Sequence, residues 1–371
     1  AGLRKGLVVD LDETISAIAQ SLEVAEQMCG ATVHSAVVGI SGPHIESTIS
    51  KGVIAISRAD GEISENDIDR VIQAARVLPN VQNREILHVI PRTYTVDSTE
   101  GIVDPVGMTG IRLETDAVII SASSTAMKNL TRSVFQSGID IQELVYSPLA
   151  CAKSLITKSQ LELGVALIDI GAYCTTLSVF EEGDVVHTKA ISLGSGNITN
   201  DIAIGLRTSI DVAEKIKIKH GSASAEHFSE KDVIDLSTLS DIDSGSVSLK
   251  YVAEIIEARL SEILLMLRDE LRSIGRDGML PAGVILTGGG CQIDGLVEVV
   301  KDTLRLPAQV GQPQQALSGM VDKLNDPIYA TSVGLMMWNL NHISNKNRAL
   351  NMPKVSVALD KARGFLKQFM P

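Results

Sequence analysis

Aromatic side chains make up only 3% of the 371 residues, with a single tryptophan. So few rings leave little on which to stack unpaired bases. The net charge of −12 also makes a surface that phosphate repels, so no nucleic-acid partner is expected. Long apolar runs are missing as well: none approaches the ~18 residues of a spanning helix. No secretory leader is visible, and the expected compartment is the cytoplasm. Cys29, Cys151, Cys174 and Cys291 stand far apart with no CxxC, and the seven histidines form no HxxxH or HxH pair. Buried, reduced thiols are expected, and no metal site is assigned to either residue type. The chain opens Ala1-Gly2-Leu3 without methionine, as a fragment would.

What is present is 44% hydrophobic and 21% charged, the balance of a folded chain long enough for two or three domains. Helical periodicity alternates with short β-branched runs, which predicts an α/β fold. A helix is expected at 12–29, capped by Asp12 and stopped by Gly30, then a buried strand at 36–40. From Gly42 to about Glu114 the texture changes. Strands near 52–56, 86–96 and 112–120, with a helix capped by Ser64, read as a small α+β subdomain set into a larger one. A helix at 125–136 follows. Residues 165–170, 175–180 and 185–192 then predict three antiparallel strands, the last two joined at Glu182-Gly183-Asp184, followed by a helix at 198–206. Such an order opens a ribonuclease-H-like lobe. A long amphipathic helix is expected at 249–272, with Val252, Ile256, Leu260, Ile263, Leu267 and Leu271 inward. A strand at 283–286 and a helix at 295–304, capped by Asp294, complete the pattern.

Two glycine-rich turns each follow a buried strand: Asp169-Ile170-Gly171 and Thr287-Gly288-Gly289-Gly290. Either is a plain tight turn or a place where backbone N–H groups approach a phosphate or base. An aspartate at a strand end can also hold a metal through water.

Several segments resemble the FtsA family of bacterial cell-division proteins, within the actin/Hsp70 superfamily. They are Ser41-Gly42-Pro43-His44-Ile45, Leu87-His88-Val89-Ile90-Pro91, the run from Asp104-Pro105-Val106-Gly107 through Arg112-Leu113-Glu114, and Gly164 through Gly171. Thr199-Asn200-Asp201-Ile202-Ala203, Ala213-Glu214-Lys215-Ile216-Lys217 and Leu286 through Gly290 complete a collinear series over about Gly2 to Asn339. The resemblance implies a two-lobed actin-like fold. The first lobe would be 1–41 with 116–162 and the inserted α+β subdomain 42–115. The second lobe would be 163–206 with 281–340, and an upper helical subdomain 207–280. It also implies ATP with Mg²⁺. Asp169, Gly171 and Thr175 would lie near the phosphates and metal, Asp169 holding Mg²⁺ through water. Glu214 and Lys217 would face ribose and base, and Gly288, Gly289 and Gly290 the adenosine. The implied partners are further copies in a filament, the C-terminal peptide of FtsZ on the upper subdomain, and other division proteins through the insert. Arg259 is a candidate partner or subunit contact, against a plain solvated arginine.

Two departures from the family stand out. Its first strand hairpin, with the Asp-x-Gly-Thr phosphate loop, is absent from the sequence. The usual Asp-Ile-Gly-Gly-Gly-Thr-Thr-Asp reads Asp169-Ile170-Gly171-Ala172-Tyr173-Cys174-Thr175-Thr176. Side chains replace two glycines, and Thr176 replaces a carboxylate near metal and attacking water. ATP turnover is therefore expected to be very slow or absent, and nucleotide binding weaker than usual. A kinase or Hsp70-like ATPase of the superfamily would need the phosphate loops and base that are missing. The actin-like scaffold of type IV pilus assembly is the other alternative.

The Asn-rich stretch 341–353 reads as a linker, and 354–371 as an amphipathic helix. Val355, Ala358, Leu359, Ala362, Phe365, Leu366, Phe369 and Met370 fall within an arc of about 140°. Lys361, Arg363 and Lys367 lie opposite. From Lys354 onward the charge is +3, which leaves −15 on the remainder. This predicts an interfacial membrane anchor, with a helix docked on its own domain as the alternative. The resemblance implies that it lies peripherally on the inner face of the cell membrane at the division site.

Overall fold

A computed structural model describes residues 2–77, 83–239, 245–313 and 324–338. The linker 341–353 and the segment 354–371, with Leu359, Lys361, Arg363, Phe365, Leu366, Lys367 and Phe369, lie outside the described residues.

Strands β1 (Leu3–Arg4) and β2 (Leu7–Val8) pair as a small hairpin ahead of α1 (Leu11–Cys29). The cap of α1 is Asp10, whose carboxylate accepts the Glu13 amide at 2.9 Å, so Asp12 sits two residues too late to serve. Gly30 closes the helix at φ 67° as expected. Strand β3 (Ser35–Ile40) leads into β4 (Ile45–Ala55), α2 (Glu65–Ala75), β5 (Arg84–Val96), β6 (Thr99–Ile102) and β7 (Arg112–Ser123). These four strands form an antiparallel sheet in the order β4-β7-β5-β6. Helix α2 lies hard against it at Gly52, where an added Cβ would meet the Val71 carbonyl at 2.1 Å. After α3 (Ser124–Gln136), strand β8 (Asp140–Tyr146) pairs in parallel with β3, followed by α4 (Ser147–Leu155) and α5 (Lys158–Leu163).

Three antiparallel strands follow, β9 (Val165–Ile170), β10 (Thr175–Glu181) and β11 (Asp184–Ile191). Then come α6 (Ser195–Leu206), α7 (Ile210–His220), the short pair β12 (Val233–Asp235) and β13 (Ser246–Ser248), and α8 (Leu249–Ser273). β14 (Val284–Thr287), α9 (Leu296–Leu304) and β15 (Ala308–Val310) complete a five-stranded sheet in the order β11-β10-β9-β14-β15. β14 runs parallel to both neighbours. The α8 stripe is fully buried, with Val252, Ile256, Leu260, Ile263, Leu267 and Leu271 at 0% exposure. Each such side chain contributes about 1.5–3 kcal/mol by leaving water. Asp294 does not cap α9; Gly295 does, at φ 75°, because its left-handed turn carries the chain into the helix.

The insert is tied to the five-stranded sheet through hydroxyls. Ser47 on β4 donates to the Thr188 carbonyl at 3.0 Å and accepts its amide at 3.2 Å. Residues 330–338 are helical and rest on α4, where Gly334 leaves 2.0 Å between an added Cβ and the Ala150 carbonyl. Cys151 and Cys291 are buried as expected, Cys174 is half-buried, and Cys29 is exposed because it sits on the last turn of α1. Among the described residues, no helix is long and apolar enough to cross a membrane.

Candidate functional site

The two glycine turns meet at the end of the five-stranded sheet. Asp169 and Thr287 are register partners on parallel neighbours β9 and β14. Gly288 leaves β14 at φ 82°, and a Cβ there would stand 2.3 Å from Asp169 Oδ1 and 2.7 Å from the Ile170 carbonyl. A Cβ on Gly290 would meet Ile170 Cγ2 at 2.4 Å. Both positions need glycine for close packing of one turn on the other. Gly289 is different: it is exposed, and among the described residues the nearest neighbour of a Cβ there would be Ile328 Cγ2, at an ordinary contact distance of 3.8 Å.

Asp169 makes no hydrogen bond or ion pair among the described residues, and burial pushes its carboxyl up to about 6. Its charge is felt by the Cys151 and Cys291 thiols, which burial first and Asp169 second push up to about 12. Thr176 lies opposite Asp169 on β10, is buried, and brings a hydroxyl but no charge.

After Gly171 the turn is held by the start of α6. The Ser195 amide donates to the Gly171 carbonyl at 2.9 Å and the Gly196 amide to the Ala172 carbonyl at 2.7 Å. Gly194 allows this, since a Cβ would stand 2.4 Å from the Gly171 carbonyl. The first amides of α6 are thus committed to the turn. The amides of Ala172, Tyr173 and Cys174 at the tip donate to nothing among the described residues. Neither Ala172 nor Tyr173 takes a positive φ, so their side chains impose no backbone strain. Thr175 is fully buried and donates to the Leu193 carbonyl at 2.8 Å, an arrangement that fixes the turn from beneath.

Lys217 departs from the solvated helix face that its position on α7 suggests. It is 8% exposed and donates to Glu214 Oε2 at 2.7 Å, Thr199 Oγ1 at 2.8 Å and the Ser195 carbonyl at 3.2 Å. Glu214 also accepts from Thr199. Burial alone would raise the Glu214 carboxyl, but the hydrogen bonds from Lys217 and Thr199 with the Lys217 charge hold it below its ordinary value. Asp169, Gly171, Gly288 and Gly290 are therefore brought together. Glu214 and Lys217 form a separate cluster, linked to the Gly171 turn through Ser195. Arg259 belongs to neither: it pairs with Asp201 at 2.6 and 3.0 Å and with Glu262, joining α8 to α6. Of the two residues that hold Lys217, Thr199 lies in a segment already quoted for the family resemblance, whereas Ser195 was not singled out in the sequence.

Comparison with known proteins agrees over most of the length. A family model described as "Cell division protein FtsA" matches residues 166–334, and one described as "SHS2 domain inserted in FTSA" matches 42–121. Cell division protein FtsA of Pseudomonas aeruginosa is 36% identical over 344 residues, covering 93% of this chain and 82% of that protein. The chain belongs to the FtsA family. Its relative in Bacillus subtilis is 37% identical over 358 residues, covering 96% of this chain and 80% of that one. The family is one of cell-division proteins with an actin-like α/β fold and an inserted subdomain. A solved PilM-PilN type IV pilus biogenesis complex matches with a TM-score of 0.63 at 16% identity, covering 92% of this chain and 88% of that one. At that identity the likeness is one of fold.

Proposed function

We propose that this FtsA-family chain is a nucleotide-loaded, self-associating protomer that ties FtsZ filaments to the cell membrane. The observation that carries the nucleotide part is the exposed Gly289 face beside the Asp169 carboxylate and the amides of Ala172, Tyr173 and Cys174, none of which has a hydrogen-bond partner among the described residues. In this reading ATP lies along the two glycine turns. The adenosine packs on Gly288–Gly290, where among the described residues Gly289 has the most room, and Glu214 with Lys217 bounds the ribose side. The amides at 172–174, next to Gly171, are free to hold phosphate oxygens. Asp169 holds Mg²⁺ through water; a single carboxylate with phosphate oxygens suits that ion. Thr175 fixes the turn. Thr176, a hydroxyl where Asp169's strand partner could have carried a carboxylate, supports slow turnover or none.

The remaining assignments follow the family. The region 207–280 receives the C-terminal peptide of FtsZ, with Arg259 at its α6–α8 junction. The insert meets other division proteins, further copies extend a filament, and 354–371 grips lipid on the inner face of the membrane. The test of the nucleotide site is Gly289→Val. Gly289 has no positive φ, and among the described residues nothing stands closer than 3.8 Å to a Cβ there, so the fold should be unaffected while a fluorescent ATP analogue binds at least 10-fold more weakly. Equal affinity in parent and variant would place the nucleotide elsewhere.

A further inference from the structure

A cavity of ≈ 320 Å³ opens in the insert between α2 and the turn after β6, away from the glycine turns. Ile68, Tyr94, Pro105, Val103 and Val106 give it an apolar lining, with Val103 82% exposed. Glu65, Asp69 and Asp104 stand on its rim, and none has a cationic partner among the described residues. Tyr94 is 7% exposed, lines the cavity, and its hydroxyl makes no hydrogen bond among the described residues. Burial, and then the charges of Asp104, Asp184 and Asp69, hold its phenol above the ordinary range. Every charge it feels is negative. Yet no group of carboxylates among the described residues converges closely enough to hold a metal ion. A spread acidic rim over an apolar floor suits side chains with long aliphatic stems and cationic heads.

We infer that this pocket seats the chain's own basic segment, 354–371: Lys361 and Arg363 on Glu65, Asp69 and Asp104, a donor on the Tyr94 hydroxyl, and Phe365 over Val103 and Val106. The charges are complementary, +3 on the segment against an uncompensated acidic rim. Reach is also sufficient. Trp338 stands 6.0 Å, ring to ring, from His88 on β5. Tyr94 is six residues further along that strand, about 20 Å away. The chain from Trp338 to Lys361 is 23 residues, about 25 Å at coil dimensions. A tether matched to its span gives a local concentration on the order of millimolar, enough for a weak contact to persist. The inference rests on the tail reading above and deepens it: the insert and lipid compete for one segment, so the protein off the membrane holds its anchor folded back.

The test uses the full chain without lipid and a zero-length carbodiimide that joins carboxylates to lysines. Peptide mapping should find Lys361 or Lys367 joined to Glu65, Asp69 or Asp104 in the monomer band, with a yield independent of protein concentration. Asp69→Asn with Asp104→Asn should lower the yield at Glu65 at least 5-fold, and Tyr94→Phe about 2-fold or more. The same double variant should sediment with vesicles of one part anionic to three parts neutral lipid at about 3-fold less lipid than the parent. No tail linkage to the insert, or linkage only in a dimer band, overturns the inference. Linkage that forms but survives excess vesicles supports the docked segment and instead defeats the membrane reading.

Discussion

Replacing Asp169 with asparagine separates its effect on the fold from the metal role proposed for it. The carboxyl titrates near 6 in the folded chain, against 3.8 for a free aspartate. Between those values the folded state holds a proton that the unfolded chain releases, so stability falls as pH rises through the window. The penalty is complete above about 6. Two pK units correspond to about 3 kcal/mol, an upper bound because the group retains some access to water. Asparagine cannot ionise, and Asp169 has no hydrogen bond to lose among the described residues, so Asp169→Asn should stabilise the ligand-free protein at pH 8. At roughly 2.1 cal/mol/K per residue, a chain of this length gains up to about 4 °C if it melts as one unit. The gap between parent and variant should close as pH falls from 6 to 4. Added Mg²⁺-ATP should then raise the melting temperature of the parent and not of the variant. Melts by circular dichroism at pH 4 to 8, with and without nucleotide, read all three effects. A variant less stable than the parent at pH 8, or a gap that does not change with pH, refutes the unpaired buried carboxylate. A variant that keeps the Mg²⁺-dependent gain refutes its role with the metal.

Gly288→Ala should destabilise by about 2–4 kcal/mol, since the new Cβ meets Asp169 Oδ1 at 2.3 Å and φ is 82°; chemical denaturation with an unchanged midpoint would disprove the clash. Lys217→Met leaves the Glu214 carboxylate without its cation beside Thr199, a loss of about 2–4 kcal/mol. Because Glu214 is held low by that pairing, the deficit should be largest above pH 5 and shrink as acid neutralises the carboxylate; a pH-independent deficit would show that packing dominates. Phe365→Glu should abolish sedimentation with anionic vesicles, because it places a charge in the apolar arc of a tail whose gross attraction is only several kcal/mol; sedimentation like the parent's would remove this segment as the anchor.

The long periodic elements were legible because burial writes itself into spacing. The α8 stripe, the hairpin at Glu182-Gly183-Asp184, the end of β5 at Val96 and the start of β7 at Arg112 all lie where alternation or helical period put them. Capping was less legible. Asp10 and Asp12 are equivalent by type, and only the path of the chain decides that Asp10 reaches the Glu13 amide. Strand β8 escaped because Asp140–Tyr146 carries Gln142 and Glu143 between its apolar residues and, among the described residues, pairs with β3 alone. At the site, both glycine turns were visible, but not which glycine faces open space; that depends on β9 and β14 lying side by side. Lys217 was the hardest to read. Its sequence neighbours are those of an exposed helix, and its burial comes from Ser195 and Thr199, on a different helix.

The same contacts say how occupancy of the turns could be felt at a distance. Gly171 has little room to move: its carbonyl accepts Ser195, its amide donates to the Cys174 carbonyl at 2.9 Å, and Gly194 lies against it. Ser195 in turn accepts from Lys217, whose ammonium also orders Thr199 and Glu214. Shifting the turn by a few tenths of an ångström therefore loosens or tightens a buried, charge-assisted cluster rather than a flexible surface loop. Buried networks of this kind respond steeply because each lost bond leaves a desolvated polar atom. A ligand that merely filled the Gly289 face would stabilise the sheet end alone. One that also braced the 172–174 amides would rigidify α6 and α7 through Ser195, and hydrogen exchange at Thr199 and Ala213 should slow with nucleotide even though neither residue touches it.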